Sequence, residues 1–171
     1  MKMKSFFAAL LMLSGAIVHA QVARVDSQWV RATVQTQTTA GAFMRLMSRD
    51  GAQLIGGASP IATSVEIYDM RTEKGAMQRQ RVPFIDLPAG RTVELNECGP
   101  HLLLVGLKQP IVRKNNVPLT LIFKDRAGVE SRVSFQAPVF GSAAELNAML
   151  KQGVVVGFAD PQGSCGQTRF G

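Results

Sequence analysis

Histidine is almost absent from this chain: there are two in 171 residues, His19 and His101. Cysteine is equally scarce, at Cys98 and Cys165, and there is one tryptophan and one tyrosine. These shortages exclude whole classes of chemistry. One histidine beyond the N-terminal segment and no Cys-x-x-Cys leave no zinc set and no thioredoxin-like redox pair. No Ser-His-acid set is visible by spacing, and Glu94 and Glu97 make no recognisable pair with His101. No Gly-rich phosphate loop precedes a helix, so the sequence points away from an enzyme. Helical periodicity is nearly missing between 22 and 138.

What is present begins with a leader. Lys2 and Lys4 form a basic start, 6–18 is an apolar run, and Val18-His19-Ala20 supplies small residues before Gln21. This predicts a signal peptide over 1–20, cleaved near Ala20, and an exported protein that meets the membrane only through that segment. The run is short for a membrane span, and no cysteine follows it to carry a lipid anchor. Its removal leaves about 150 residues, enough for one domain with its own core. It also leaves His101 as the sole histidine and lowers the formal charge from +7 to about +5, since Lys2 and Lys4 depart and no acid does. The basic residues are scattered, with one loose cluster near 71–81 and no aromatic-rich basic strip, which argues against nucleic acid. Two cysteines in an exported chain predict one disulfide, Cys98–Cys165, with two free thiols as the alternative. Closing that loop would stabilise the fold by roughly 4 kcal/mol in the chain-entropy view.

The body reads as short strands separated by turn signals. Strands are expected over 22–33, with Trp29 as a core anchor, and over 42–48, ended by the hairpin-type turn Arg49-Asp50-Gly51. Residues 53–55 pair back before Gly56-Gly57, Ser59-Pro60 breaks the chain, and 62–70 alternates well. Further strands are expected over 76–82 and 92–95, on either side of the turn Leu87-Pro88-Ala89-Gly90. The run 101–108 is apolar almost throughout, which suits a central strand covered on both faces. Leu119, Leu121 and Phe123 alternate with Thr120, Ile122 and Lys124, and Asp125-Arg126-Ala127-Gly128 turns into 129–136. Eight or so such strands argue for an all-β sandwich or barrel ending at Ala137-Pro138. A short helix is expected over 142–152, capped by Ser142 with Glu145 three residues on. The segment 154–158 is a final strand or an apolar tail, and 160–171 is Gly-rich.

The order of Trp29-Val-Arg31-Ala32-Thr33, Ala42-Phe-Met44, Gly57-Ala58-Ser59-Pro60, Ser64-Val65-Glu66-Ile67, Leu87-Pro88-Ala89-Gly90, Gly99-Pro100-His101 and Val117-Pro118-Leu119 resembles the periplasmic copper chaperones called PCu(A)C. The resemblance covers about 110 residues and implies a cupredoxin-like Greek-key β-sandwich, with a short C-terminal helix and tail beyond it. It also implies a periplasmic location and a role in holding or relaying copper during oxidase metallation. Partners would be a periplasmic domain of a copper oxidase or another copper carrier. Family members bind Cu(I) through His-x10-Met-x21-His-x-Met, a soft set suited to that ion.

Laid on this sequence without gaps, those positions are Tyr68, Arg79, His101 and Leu103. Only His101 retains a donor. Arg79 is a permanent cation, Leu103 has no donor atom, and Tyr68 is a poor Cu(I) ligand. Two expectations follow. In the first, copper binds weakly at His101 with displaced sulfur from Met77 or Met70, Met70 sharing the Tyr68 face of a strand. In the second, the metal has been lost, and a basic patch at Arg71, Lys74, Arg79 and Arg81 meets an acidic partner surface. Ordinary packing methionines, a structural histidine and solvated arginines are the plainer readings of the same residues.

Overall fold

The computed structural model describes residues 22–73 and 76–141, together with Glu145 and Ala148. Among these residues ten strands form: β1 (Arg24–Arg31), β2 (Thr39–Met47), β3 (Ala52–Ala58), β4 (Ala62–Glu73), β5 (Ala76–Arg81), β6 (Ile85–Leu87), β7 (Thr92–Leu95), β8 (His101–Leu107), β9 (Asn116–Asp125) and β10 (Glu130–Phe140). The all-β expectation therefore holds. The strands join in one hydrogen-bonded sheet rather than two. Its path runs β4-β8-β2-β1-β10-β9-β3 and returns to β4, a seven-strand barrel-like ring. β5 extends from the free flank of β4, while β6 and β7 add to β3 and β2.

Alternation builds the interior. In β9, Val117, Leu119, Leu121 and Phe123 are buried while their neighbours are not. They meet Ala42, Met44 and Leu46 of β2, Leu54 of β3 and Leu102 and Leu104 of β8 in one core cluster. Closure between β3 and β4 rests on the register pair Gly57–Val65. A Cβ on Gly57 would lie 3.0 Å from both the Thr120 carbonyl and Val65 Cγ1. Here glycine lets three strands approach at the seam. Gly56-Gly57, which reads in the sequence as an interruption, is instead inside β3, with a register shift between Leu54 and Gly56 absorbing the irregularity.

Two other expectations change. Ala137-Pro138 does not end the sheet: β10 continues to Phe140 and pairs in parallel with β1 through Val30–Val139 and Arg31–Phe140. Trp29 is buried, as expected of an anchor, but it is absent from the central cluster. The β1–β2 register shifts by one residue between Asp26 and Trp29, beside Ser27 at φ 55°. That extra residue is a bulge, and it turns Trp29 to the outer side of the sheet. The helix expected over 142–152 lies outside the described residues apart from Glu145 and Ala148. The leader and the segments 154–158 and 160–171 lie outside them entirely.

A candidate site on the outer face of β8

β7 and β8 occupy the same flank of β2 in succession. β7 pairs with Met44–Met47, and β8 pairs with Thr39–Ala42. Between them, residues 96–100 leave the sheet in a short excursion. Its base is pinched by the Asn96 N–H donating to the Pro100 carbonyl at 2.9 Å, and the Cys98 N–H donates to Asn96 Oδ1 at 3.0 Å. His101 is the first residue after the excursion. Its Nδ1 lies 2.9 Å from the Gly99 carbonyl. A carbonyl can only accept, so Nδ1 carries the proton and Nε2 keeps its lone pair.

His101 is only 3% exposed although it lies on the outer side of the sheet, because aromatic rings cover it. Tyr68 is its direct cross-strand partner, the rings stacked at 6.3 Å with 20° between planes. Phe43 lies 6.3 Å away on the other flank and packs on Trp29 at 4.6 Å. Gly41 makes room for this roof: a Cβ there would sit 2.6 Å from Phe43 Cζ. The outer cluster is thus a small second compartment, separated from the barrel core by the sheet itself.

Beside it lies a cavity of about 150 Å³, with Gly41, Phe43 and Leu103 on its apolar side. Arg31, Gln37, Thr39, Arg79, Glu97 and His101 line the rest. Glu97, carried out by the excursion, forms an ion pair with Arg31, whose guanidinium lies 5.8 Å over the Phe43 ring. Arg79 makes no ion pair among the described residues. Tyr68 Oη donates to Glu66 Oε2 at 3.1 Å. That bond, then burial and the Glu66 charge, raises the phenol pKa against the opposing pull of Arg81 and Arg79.

Burial is the main influence on His101 and lowers its pKa below 6.5, with Arg79 pushing the same way. The Gly99 hydrogen bond and Asp69 oppose this. The imidazole is therefore neutral at pH 7 and stays so below the pH at which an unfolded histidine protonates. Between the depressed folded value and 6.5 the unfolded chain binds more protons, so stability rises with pH there. This contribution is complete above 6.5 and is lost as pH falls through the folded value. Melting temperatures taken from pH 8 down to about 5 should show that extra decline. His101→Gln should lack it; an unchanged acid slope in that variant would contradict the assignment.

The sequence signature of the LpqE-like family, described as "Putative lipoprotein LpqE-like", matches residues 23–139. The chain belongs to this family. It is 31% identical over 151 residues to "Putative lipoprotein Lxx21020" of Leifsonia xyli subsp. xyli, covering 81% of this chain and 89% of that protein. Among solved structures, it resembles apo-DR1885 from Deinococcus radiodurans, with 28% identity, a TM-score of 0.53 and coverage of 84% of this chain and 93% of that one. The Cu(I) form of DR1885 matches with 29% identity and a TM-score of 0.50, over 74% and 85% of the two chains. A copper-bound PCuAC domain from PmoF2 shares the fold at 23% identity and a TM-score of 0.57, over 71% of this chain and 95% of that domain.

In this LpqE-like chain the four motif positions lie on one face. Tyr68 opposes His101, Leu103 follows His101 by two residues, and Arg79 is diagonal to Tyr68 across the β4–β5 pair. Arg79, His101 and Leu103 all line the cavity. Met70 has Tyr68's facing on β4 and opposes Arg79, but it is not among the described residues lining the cavity. Met77 opposes Thr72 toward the hairpin tip, two pairs further from His101 than the Met70–Arg79 pair. No group of three or more His, Cys, Asp or Glu among the described residues is placed to hold a metal. Within the expected basic patch, Arg71 lies 3.6 Å from Asp69 and Arg81 lies 3.7 Å from Glu66, while Lys74 is outside the described residues. Cys98 is not a free thiol, and Cys165 lies outside the described residues.

Sequence reasoning missed Arg31, Phe43 and Glu97 as neighbours of His101. Arg31 reads as one scattered arginine, and Glu97 makes no recognisable catalytic pair with His101. The usable signals were spacings of two, Trp29 to Arg31 and Gly41 to Phe43, which put each pair on one side of a strand.

Proposed function

We propose that this chain is an exported, copper-chaperone-like domain whose metal site has degenerated. It acts as a carrier rather than an enzyme. The observation that carries this reading is the convergence of the four motif positions on one face beside one cavity, with a donor kept at only one of them. The fold shared with a copper-bound PCuAC domain and with Cu(I)-DR1885 supports it. The residues present fit copper poorly. His101 Nε2 is an available soft donor, but Tyr68, Arg79 and Leu103 supply nothing comparable. Met70 is the best-placed replacement, diagonal to His101 at a separation of about 7 Å for such pairs and with a flexible thioether. Met77 is the second candidate. A site of this kind holds Cu(I) weakly and near the surface, which suits handing it to a periplasmic oxidase domain or another carrier.

Export through a leader cleaved near Ala20 places the domain in the periplasm, where a Cys98–Cys165 disulfide would fix the excursion that carries Glu97. Titrating the reduced protein with Cu(I) against a competing chelator tests the copper reading. Binding that is lost in His101→Ala is the expected result. Micromolar or weaker binding indifferent to that substitution would remove the reading. A second reading, a module on the same fold that meets an acidic protein surface through Arg71, Lys74, Arg79 and Arg81, is favoured by one observation: Arg79 has no ion-pair partner among the described residues.

A further inference from the structure

We propose that the cavity beside His101 binds a single carboxylate group, held by Arg79 and the Arg31 edge of the cavity. The inference extends the second reading above from a surface to one functional group, and it does not require copper.

Charge decides the class of ligand. The cavity is lined by two permanent cations, Arg31 and Arg79, and one carboxylate, Glu97. Glu97 already pairs with Arg31, and the His101 Nδ1 proton is taken up by the Gly99 carbonyl, so the fixed surplus is one positive charge, at Arg79. One monoanion balances it. A dianion such as phosphate would add a second negative charge close to Glu97, so a planar monocarboxylate is the better match for the guanidinium fork. Size decides how much of the ligand enters. At about 150 Å³ the cavity falls well below the roughly 300 Å³ at which ordinary small-molecule sites begin. It therefore takes a group and a methylene or two, not a whole drug-sized molecule. Gly41, Phe43 and Leu103 form an apolar side against which those methylenes pack. Gln37 and Thr39 add polar groups at the rim; Gln37 Nε2 already donates to the Thr39 carbonyl at 2.8 Å and has one N–H to spare. The same face that would present soft donors to a cation thus presents fixed positive charge to an anion.

The carboxylate has two possible sources, a free small acid or an Asp or Glu side chain on a partner segment. Both are probed by following the His101 ring proton by NMR at fixed pH and ionic strength, its resonance assigned by loss in His101→Gln. Sodium acetate, a terminally blocked Ala-Glu-Ala peptide, inorganic phosphate and chloride are added separately. A saturable shift with acetate or the peptide is expected, weakened at least tenfold by Arg79→Gln and only partly restored by Arg79→Lys. Arg24→Gln, which changes an exposed arginine paired with Asp26 outside both the cavity and the basic patch, should leave it unchanged. Tighter binding of the blocked peptide identifies a partner segment as the source; acetate equal to or tighter than the peptide identifies a free acid. A shift no larger than that from chloride, one matched by phosphate, or one that survives Arg79→Gln overturns the proposal. An acidic protein that binds through Arg71 and Arg81 while acetate has no effect would also overturn it, yet leave the surface reading standing. Thermal melts of each variant confirm that the fold is retained.

Discussion

Replacing Tyr68 with His, Arg79 with Met and Leu103 with Met together should raise Cu(I) affinity by at least about a thousandfold, or about 4 kcal/mol at 1.4 kcal/mol per decade. The backbone for such a site is in place. Tyr68 and His101 are direct partners, Leu103 lies on the same side of β8, and Arg79 is diagonal to Tyr68. Each replacement swaps a side chain that cannot ligate for an imidazole or thioether suited to Cu(I). Arg79→Met should give the largest single gain, since it removes a fixed positive charge as well as adding sulfur. Competition with a Cu(I) chelator measures the change. A folded triple variant with wild-type affinity would mean that the shared face does not bring the four positions close enough to act together.

Phe123→Ala should cost about 3–5 kcal/mol of stability, the usual range for a buried phenylalanine truncation. Phe123 is 0% exposed, and its strand is paired on both flanks, opposite Ser131 of β10 and Leu54 of β3. Four further strands complete the ring, so no free edge lets the wall collapse into the space left behind. A fall in melting temperature of more than about 10 °C is expected for a domain of this size. Chemical denaturation should show a lower midpoint with the slope preserved. A loss under about 1 kcal/mol would show that the site can close over the missing ring.

Local patterns made most of the strands legible. Alternation at Leu119, Leu121 and Phe123 marks β9 because its buried and open sides differ so clearly. The turns at Gly51 and Gly128 were readable for a related reason, since both adopt positive φ, 86° and 83°, which glycine accepts without strain. Long-range events were not readable. The parallel β1–β10 pair joins segments more than 100 residues apart, and no local pattern encodes it. The Ser27 bulge has no composition signature, so Trp29 was assigned to the correct degree of burial and the wrong side of the sheet. The three-residue β6 was too short to show a period. The motif spacing located His101 and the three positions that share its face, whereas Glu97 became relevant only because the chain leaves the sheet between β7 and β8.

That bulge divides the molecule's responsibilities. Trp29, Phe43, Tyr68 and His101 pack on one side of the sheet, while Phe123, Leu121 and Leu54 hold the barrel from the other. Substitutions in compartments that share no partners have nearly additive effects. Selection can therefore rewrite the outer residues without putting the scaffold at risk. Tyr68, Arg79 and Leu103 can accordingly be exchanged one at a time, each intermediate still folding.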